Sequence, residues 1–211
     1  MRLLFFFIFF TSILIESKEV SSKEALSILI QGNERYVQDK MRYSDHSKDR
    51  RSVLLSRQNP FAIIVGCSDS RVPPEIIFDQ GLGDLFIVRV AGNVVGAIEY
   101  ESVSFAASYL KAPLILVLGH EGCGAVEAVL QKKDKAIPEI AALIRPAVAL
   151  SKLCKPPILD CVIKENVKHI VEDLKRRQLI ADLIKKKRLS VVGGYYNLQD
   201  GKVEILEAVK E

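Results

Sequence analysis

FAIIVG at residues 61–66 is a continuous apolar run of the kind that a parallel sheet buries on both faces. Two further runs, Leu85 to Val90 and Leu114 to Leu118, repeat this pattern. A helical period from about Ala97 to Leu110 lies between these two runs, and another helix is predicted to start near Ala125. Strands that alternate with helices predict an α/β fold, with a mostly parallel central β-sheet flanked by helices.

The segments on either side of this core are predicted to add an N-terminal helical arm and a C-terminal edge hairpin. Ser21 and Glu24 have the spacing of a capping box, and a helix is predicted to run from there to about Gln38. Farther along, helical periodicity covers Ile137 to Leu153 and Asp160 to Lys187, and strand-like runs cover Ser190 to Leu198 and Lys202 to Leu206. An Asp-Gly turn at residues 200–201 predicts that the last two strands form a hairpin.

The composition is that of an ordinary globular protein. The chain has 211 residues, of which 49% are hydrophobic and 27% are charged, and this length can bury one sizeable core. The formal net charge of +4 is modest, and the basic run at residues 185–188 is interpreted as a solvated helix end. We therefore expect no nucleic-acid partner. No repeat or linker divides residues 21–211, which are predicted to form a single domain.

The N-terminal residues have the pattern of a signal peptide. Arg2 precedes an apolar run that begins at Leu3 and stops at Glu16, and a basic start followed by an apolar stretch is typical of export signals. The run is shorter than the roughly 20 apolar residues that a membrane-spanning helix needs. We expect residues 1–20 to be the signal peptide, with an uncertain cut site, and the protein to be periplasmic or secreted. Membrane anchoring by an uncleaved N-terminus is the alternative.

Two of the four cysteines lie close together in sequence. Cys154 and Cys161 are separated only by Lys-Pro-Pro-Ile-Leu-Asp. In an oxidising compartment these two cysteines can form a disulfide, and two free thiols are the alternative. The sequence leaves both possibilities open.

The other two cysteines each follow a predicted buried strand. Cys67 comes directly after the run at residues 61–66, and His120 and Cys123 follow the strand Leu114 to Gly119. Residues just past the carboxyl ends of parallel strands converge at one edge of the sheet. Two thiolates and an imidazole suit zinc, and three protein ligands leave the fourth tetrahedral position for water or substrate. These residues predict a catalytic zinc site; the alternative is a pair of buried thiols with a core histidine.

A carboxylate and a guanidinium follow the first of these ligands. Asp69 lies two residues after Cys67, and Arg71 lies two residues after Asp69. An arginine can hold a carboxylate through two parallel hydrogen bonds and keep it ionised and oriented. Beside a metal-bound water, such a carboxylate can accept a hydrogen bond and help to handle the proton. In the alternative interpretation, Asp69 caps a helix that begins near Pro74 and Arg71 is solvated.

Together these segments resemble the signature of the β carbonic anhydrases in residues, spacing and order. The segments are Cys67-Ser-Asp-Ser-Arg71 and His120-Glu-Gly-Cys123-Gly, and the likeness extends from about residue 24 to 207. The resemblance implies zinc-dependent, reversible hydration of carbon dioxide to bicarbonate and a proton by zinc-hydroxide attack, with one Zn²⁺ per chain. A hydrolase of carbonyl sulfide or carbon disulfide, and a non-catalytic zinc-binding relative, are the alternatives.

The resemblance also implies roles for individual residues. The family's ligands map onto Cys67, His120 and Cys123, and its catalytic dyad maps onto Asp69 and Arg71. Gln58 matches a glutamine that hydrogen-bonds substrate, and the amide of Gly124 matches a group that supports bound oxygen. Phe86 matches an apolar position of the carbon dioxide pocket, partly across a subunit interface, whereas Phe105 replaces a pocket tyrosine of the family. A homodimer or homotetramer is expected from the resemblance alone.

Overall fold

A computed structural model describes residues 20–42 and 45–206 of the chain. The predicted signal peptide therefore lies outside the described residues, except for its last position. Five strands of the described part form one sheet in the order β2-β1-β3-β4-β5. They are β1 (Ala62–Gly66), β2 (Leu85–Arg89), β3 (Leu114–His120), β4 (Ser190–Tyr196) and β5 (Val203–Ile205). The first four strands pair in parallel and β5 pairs antiparallel to β4, which confirms the α/β prediction and the edge hairpin.

Helices cover both faces of this sheet. They are α1 (Ser22–Val37), α2 (Lys48–Leu54), α3 (Pro74–Ile77), α4 (Ala97–Ser108), α5 (Gly124–Leu130), α6 (Pro138–Ala149), α7 (Ile158–Arg176) and α8 (Gln178–Lys185). Short 3₁₀ turns lie at Ala91–Asn93 and Leu150–Leu153. Among the described residues, no helix combines the length and the apolar character that crossing a membrane requires.

Alternation along β1 explains why its sequence is apolar throughout. Ile63 and Val65 belong to one buried core, and Ile64, which points the other way, belongs to a second core on the opposite face. Residues of α1 and α3 contribute to the second core, whereas α4, α5, α6, α7 and α8 contribute to the first. The first helix begins as predicted, because Ser21 and Glu24 form the capping box.

The predicted helix over Asp160 to Lys187 is wrong in one respect, since it is two helices. The backbone of Arg177 is extended, with φ −71° and ψ 129°, and separates α7 from α8. Ile180 and Leu183 of α8 are buried in the same core as α7, so apolar periodicity continues across the break and does not reveal it.

The sequence leaves open whether Cys154 and Cys161 are bonded, and the structure answers this question. Cys154 and Cys161 form a disulfide, which joins the segment after α6 to the first turn of α7. The two remaining cysteines, Cys67 and Cys123, are free and buried.

Candidate metal centre

The three predicted ligands meet at the carboxyl end of the sheet. Gly66 of β1 lies opposite Leu118 of the parallel strand β3, so Cys67, which follows β1, emerges beside His120 at the end of β3. Cys67, His120 and Cys123 are all buried, and their ligand atoms lie within 4.8 Å of one another. Convergence of strand ends in a parallel sheet therefore produces the cluster expected from the sequence.

A tight turn returns the chain from His120 to the cluster. Gly122 has φ +61°, a conformation that glycine adopts without steric cost, and Cys123 follows as the residue before α5. The carboxylate of Glu121 accepts a hydrogen bond from the amide of Leu198, 2.9 Å away, and so ties the turn to the chain after β4. The two residues between His120 and Cys123 thus form a tight turn that brings Cys123 back beside His120.

The imidazole of His120 presents one nitrogen to the cluster. Its Nδ1 lies 2.8 Å from the carbonyl oxygen of Glu121, which can only accept, so Nδ1 carries the proton. Its Nε2 is buried and has no hydrogen-bond partner among the described residues. A neutral imidazole held by one nitrogen, with a free lone pair on the other, is the usual form of a metal-binding histidine.

The thiols of Cys67 and Cys123 share a hydrogen bond. The pKa of Cys67 is lowered, chiefly because its thiolate accepts a hydrogen bond from the Cys123 thiol, and to a lesser extent because it accepts another from the amide of Gly92. The hydrogen bond to Cys67 and burial both raise the pKa of Cys123, while the backbone amides of Val126 and Ala125 act in the opposite direction. Two sulfurs and one imidazole nitrogen form a donor set that zinc prefers, and binding a cation would displace the remaining thiol proton.

Asp69 and Arg71 form the predicted pair at the edge of this cluster. The guanidinium donates from Nε to Oδ1 at 2.9 Å and from Nη2 to Oδ2 at 2.7 Å, and these bonds hold the pKa of Asp69 well below its usual range. Oδ2 of Asp69 lies 3.9 Å from Nε2 of His120. The alternative interpretation of Asp69 as a helix cap is wrong, because α3 begins at Pro74 without a side-chain cap.

Arg89 is a functional candidate that the sequence interpretation missed. It ends β2, opposite Gly66, and donates from Nε to the carbonyl of Cys67 at 2.8 Å and from Nη2 to the carbonyl of Asp69 at 2.6 Å. One side chain therefore holds the backbone of the loop that carries both a ligand and the carboxylate. The available signal was a charged residue at the end of an otherwise apolar strand.

The three predicted substrate-binding residues lie in two different places. Gly124 follows Cys123 directly and is exposed at the start of α5. Gln58 precedes β1 and lines a groove of about 1620 Å³ at the amino end of the sheet, and Phe86 is the second residue of β2. The chain's own fold thus places Gln58 and Phe86 away from its metal cluster, and their roles stay predictions.

A row of aromatic side chains continues outward from Phe86. Its ring lies 6.4 Å from that of Phe105, which in turn stacks on Tyr109 at 5.4 Å, measured between ring centroids. Phe105 is 44% exposed and Tyr109 is 78% exposed. Phe86 itself is half-buried and packs against the core. We refer to Phe86, Phe105 and Tyr109 together as the exposed aromatic row, after its two outer members.

Comparisons with known proteins show which family the chain is similar to in sequence and in fold. The carbonic anhydrase family model matches residues 62–203, which include all three cluster residues. The chain is 37% identical over 188 residues to a carbonic anhydrase of Mycolicibacterium smegmatis, covering 86% of this chain and 91% of that protein. It is 38% identical over 192 residues to carbonic anhydrase 2 of Mycobacterium tuberculosis, covering 88% and 93%. The solved structure of a Coccomyxa β-carbonic anhydrase in complex with acetazolamide matches with a TM-score of 0.70 and 26% identity, over 88% and 87% of the two chains. The chain belongs to the carbonic anhydrase family, and within it to the β class.

Proposed function

We propose that this protein catalyses the reversible hydration of carbon dioxide to bicarbonate and a proton, with one Zn²⁺ held by Cys67, His120 and Cys123. The observation that carries the proposal is the buried cluster of two thiols and one imidazole beside an ionised carboxylate, in which Nε2 of His120 has no hydrogen-bond partner within the described part of the chain. Two thiolates, one imidazole and a fourth position for water or substrate are typical of catalytic zinc sites.

Zinc held by these three residues would supply Lewis-acid activation of water, so that hydroxide would be available near neutral pH. The chain supplies the rest of the chemistry. Because Arg71 keeps Asp69 ionised, this carboxylate can only accept a hydrogen bond. We infer that Asp69 would hold the attacking hydroxyl group through its proton and leave an oxygen lone pair free for the carbon of carbon dioxide.

The low pKa of Asp69 also bears on its part in proton transfer. A carboxylate that two guanidinium hydrogen bonds keep ionised is a poor proton acceptor near neutral pH. Asp69 is therefore assigned an orienting role, and not that of the acceptor of the proton that hydration releases. Arg71, whose side chain is 55% exposed, anchors Asp69 from the solvent side.

We propose that the substrate side of the site is completed by a second copy of the chain in a homodimer or a larger homo-oligomer. Gln58 and Phe86 lie away from the metal cluster of their own chain, and Phe86 belongs to the exposed aromatic row. Exposed aromatic side chains of this kind are enriched at protein interfaces. Light scattering measures the mass directly, and Tyr109→Glu is expected to shift the protein toward monomer. A wild-type monomer that is fully active would contradict this assembly.

We also propose that the protein is exported and acts in the periplasm or outside the cell. The basic and apolar pattern of the first residues supports export, and a disulfide between Cys154 and Cys161 suits an oxidising compartment. N-terminal sequencing of the protein purified from its native cells tests this proposal. Export predicts a mature N-terminus near residue 20, and an intact Met1 in a cytosolic fraction would contradict it.

Stopped-flow assays of the zinc-loaded chain test the proposed reaction. Rapid hydration of carbon dioxide, with no turnover of carbonyl sulfide or carbon disulfide, is the expected result. Turnover of the sulfur compounds alone would replace the proposal with the hydrolase alternative. Zinc bound at one per chain without turnover of any of these substrates would indicate a non-catalytic role.

A further inference from the structure

A buried asparagine on α7 is connected to the metal cluster through a single glycine. Asn166 is 0% exposed, and its Nδ2 donates to the carbonyl oxygen of Gly92 at 2.9 Å. The helix lies close to the sheet at this point, because a side chain on Gly119 would come within 2.6 Å of Val167. Asn166 is therefore held in place by the packing of α7 on β3.

Gly92 uses both of its backbone polar groups in this connection. Its amide lies 3.3 Å from Sγ of Cys67, and its carbonyl accepts the hydrogen bond from Asn166. The residue has φ +73°, and a Cβ there would lie 2.8 Å from Cδ1 of Ile144. Only glycine fits this turn without strain, so the amide reaches the sulfur from a conformation that the surroundings must maintain.

We propose that Asn166 is a positioning residue for the metal ligand Cys67, and that it acts by holding the Gly92 amide on the sulfur. A hydrogen bond to a thiolate withdraws electron density from the sulfur and fixes its direction, and both effects alter its bonding to a metal. The inference rests on the proposed zinc site. It differs from a purely structural role because the effect of Asn166 should appear in the properties of the metal.

The experiment compares Asn166→Leu with Asn33→Leu as a matched control. Asn33 is also a buried helical asparagine, 5% exposed, and its Nδ2 donates to the carbonyls of Ile77 and Gly201. It lies on α1, whose apolar residues pack on the opposite face of the sheet. Both substitutions remove a buried amide, but only Asn166 is connected to a cluster residue.

Zinc affinity, measured by competition with a chromophoric chelator, is the first readout. Asn166→Leu is expected to weaken zinc binding by about 10- to 100-fold, the usual effect of losing an outer partner of a metal ligand. Asn33→Leu is expected to lower the urea midpoint of the metal-free protein and to leave zinc affinity within twofold of wild type.

The absorption spectrum of the cobalt-substituted protein is the second readout. Loss of the hydrogen bond raises the energy of the sulfur electrons, so the sulfur-to-cobalt charge-transfer band should move to longer wavelength in Asn166→Leu and not in Asn33→Leu. A folded Asn166→Leu with wild-type zinc affinity and an unshifted band would overturn the inference. If that variant does not fold, Asn166→Ala is subject to the same two criteria. Failure of the proposed function is a separate outcome, because it would show as wild type that binds zinc and does not hydrate carbon dioxide.

Discussion

The two ends of the central sheet differ in how completely one chain builds them. At the carboxyl end, hydrogen bonds from the chain itself hold the backbone of the Cys67 loop, the carboxylate of Asp69 and the ring of His120. At the amino end, Gln58 lines an open groove, and the exposed aromatic row lies at the surface. The comparison indicates that the metal-binding half of the site is intrinsic to the chain, and it supports the proposal that a second copy of the chain completes the substrate-binding half.

Removing a ligand at the carboxyl end should have the largest effect. Cys67→Ala leaves two protein ligands for zinc, and two ligands bind the ion too weakly to compete with water. We expect the variant to contain less than one zinc per chain after dialysis and to hydrate carbon dioxide at the uncatalysed rate. Metal analysis and stopped-flow assays measure the two properties. A variant with one zinc per chain and wild-type activity would contradict the assignment of Cys67 as a metal ligand.

Removing the carboxylate should separate metal binding from catalysis. Asp69→Ala keeps all three ligands but loses the group that orients the nucleophile, so kcat/KM should fall by about 10²- to 10³-fold with zinc content unchanged. Asp134→Ala is the control, because Asp134 also accepts from an arginine, Arg145, at 2.8 Å outside the cluster. Equal activity of the two variants would contradict the orienting role.

Loosening the loop that carries Cys67 and Asp69 should weaken zinc binding less than the loss of a ligand does. Arg89→Leu removes two hydrogen bonds to the backbone of the loop, and we expect zinc affinity to fall by about 10- to 100-fold. Arg50→Leu is a matched control, since Arg50 donates to the carbonyl of Leu82 and to the carboxylate of Asp84 at the start of β2. A chelator competition assay that finds the same zinc affinity in both variants would mean that Arg89 does not position the cluster.

The smallest effect is expected at the amino end. Gln58→Ala should lower kcat/KM by about tenfold, the effect of one lost hydrogen bond of ~1.4 kcal/mol, and should leave zinc affinity unchanged. Gln31→Ala is the control. Gln31 lies on the exposed face of α1, and among the described residues its side chain hydrogen-bonds only to Ser27, one turn away. An unaffected Gln58→Ala enzyme would remove this residue from the substrate-binding half.

Most of the metal centre could be predicted because strand ends are visible in the sequence. The apolar run before Cys67 and the one before His120 both had to be buried strands, and parallel strands bring their carboxyl ends together. The Asp69–Arg71 pair was predictable because both residues lie within one short loop. These residues could therefore be predicted because each one lies next to an apolar strand that is recognisable in the sequence.

The supporting contacts could not be predicted in the same way. Arg89 reaches the Cys67 loop from the neighbouring strand β2, and Asn166 reaches Gly92 across 74 positions of sequence. Contacts of this kind depend on which strands are adjacent and on how closely α7 lies on the sheet. A buried asparagine in an amphipathic helix gives no sign in the sequence of which carbonyl it will meet.

The proposed function requires one zinc ion at the Cys67, His120 and Cys123 cluster for hydration of carbon dioxide. It can be tested by titrating the metal-free protein with Zn²⁺ and following hydration by stopped flow at each step. Activity should rise in proportion to added zinc and stop rising at one zinc per chain. Full activity before zinc is added, or saturation at one zinc per chain with no hydration, would contradict it.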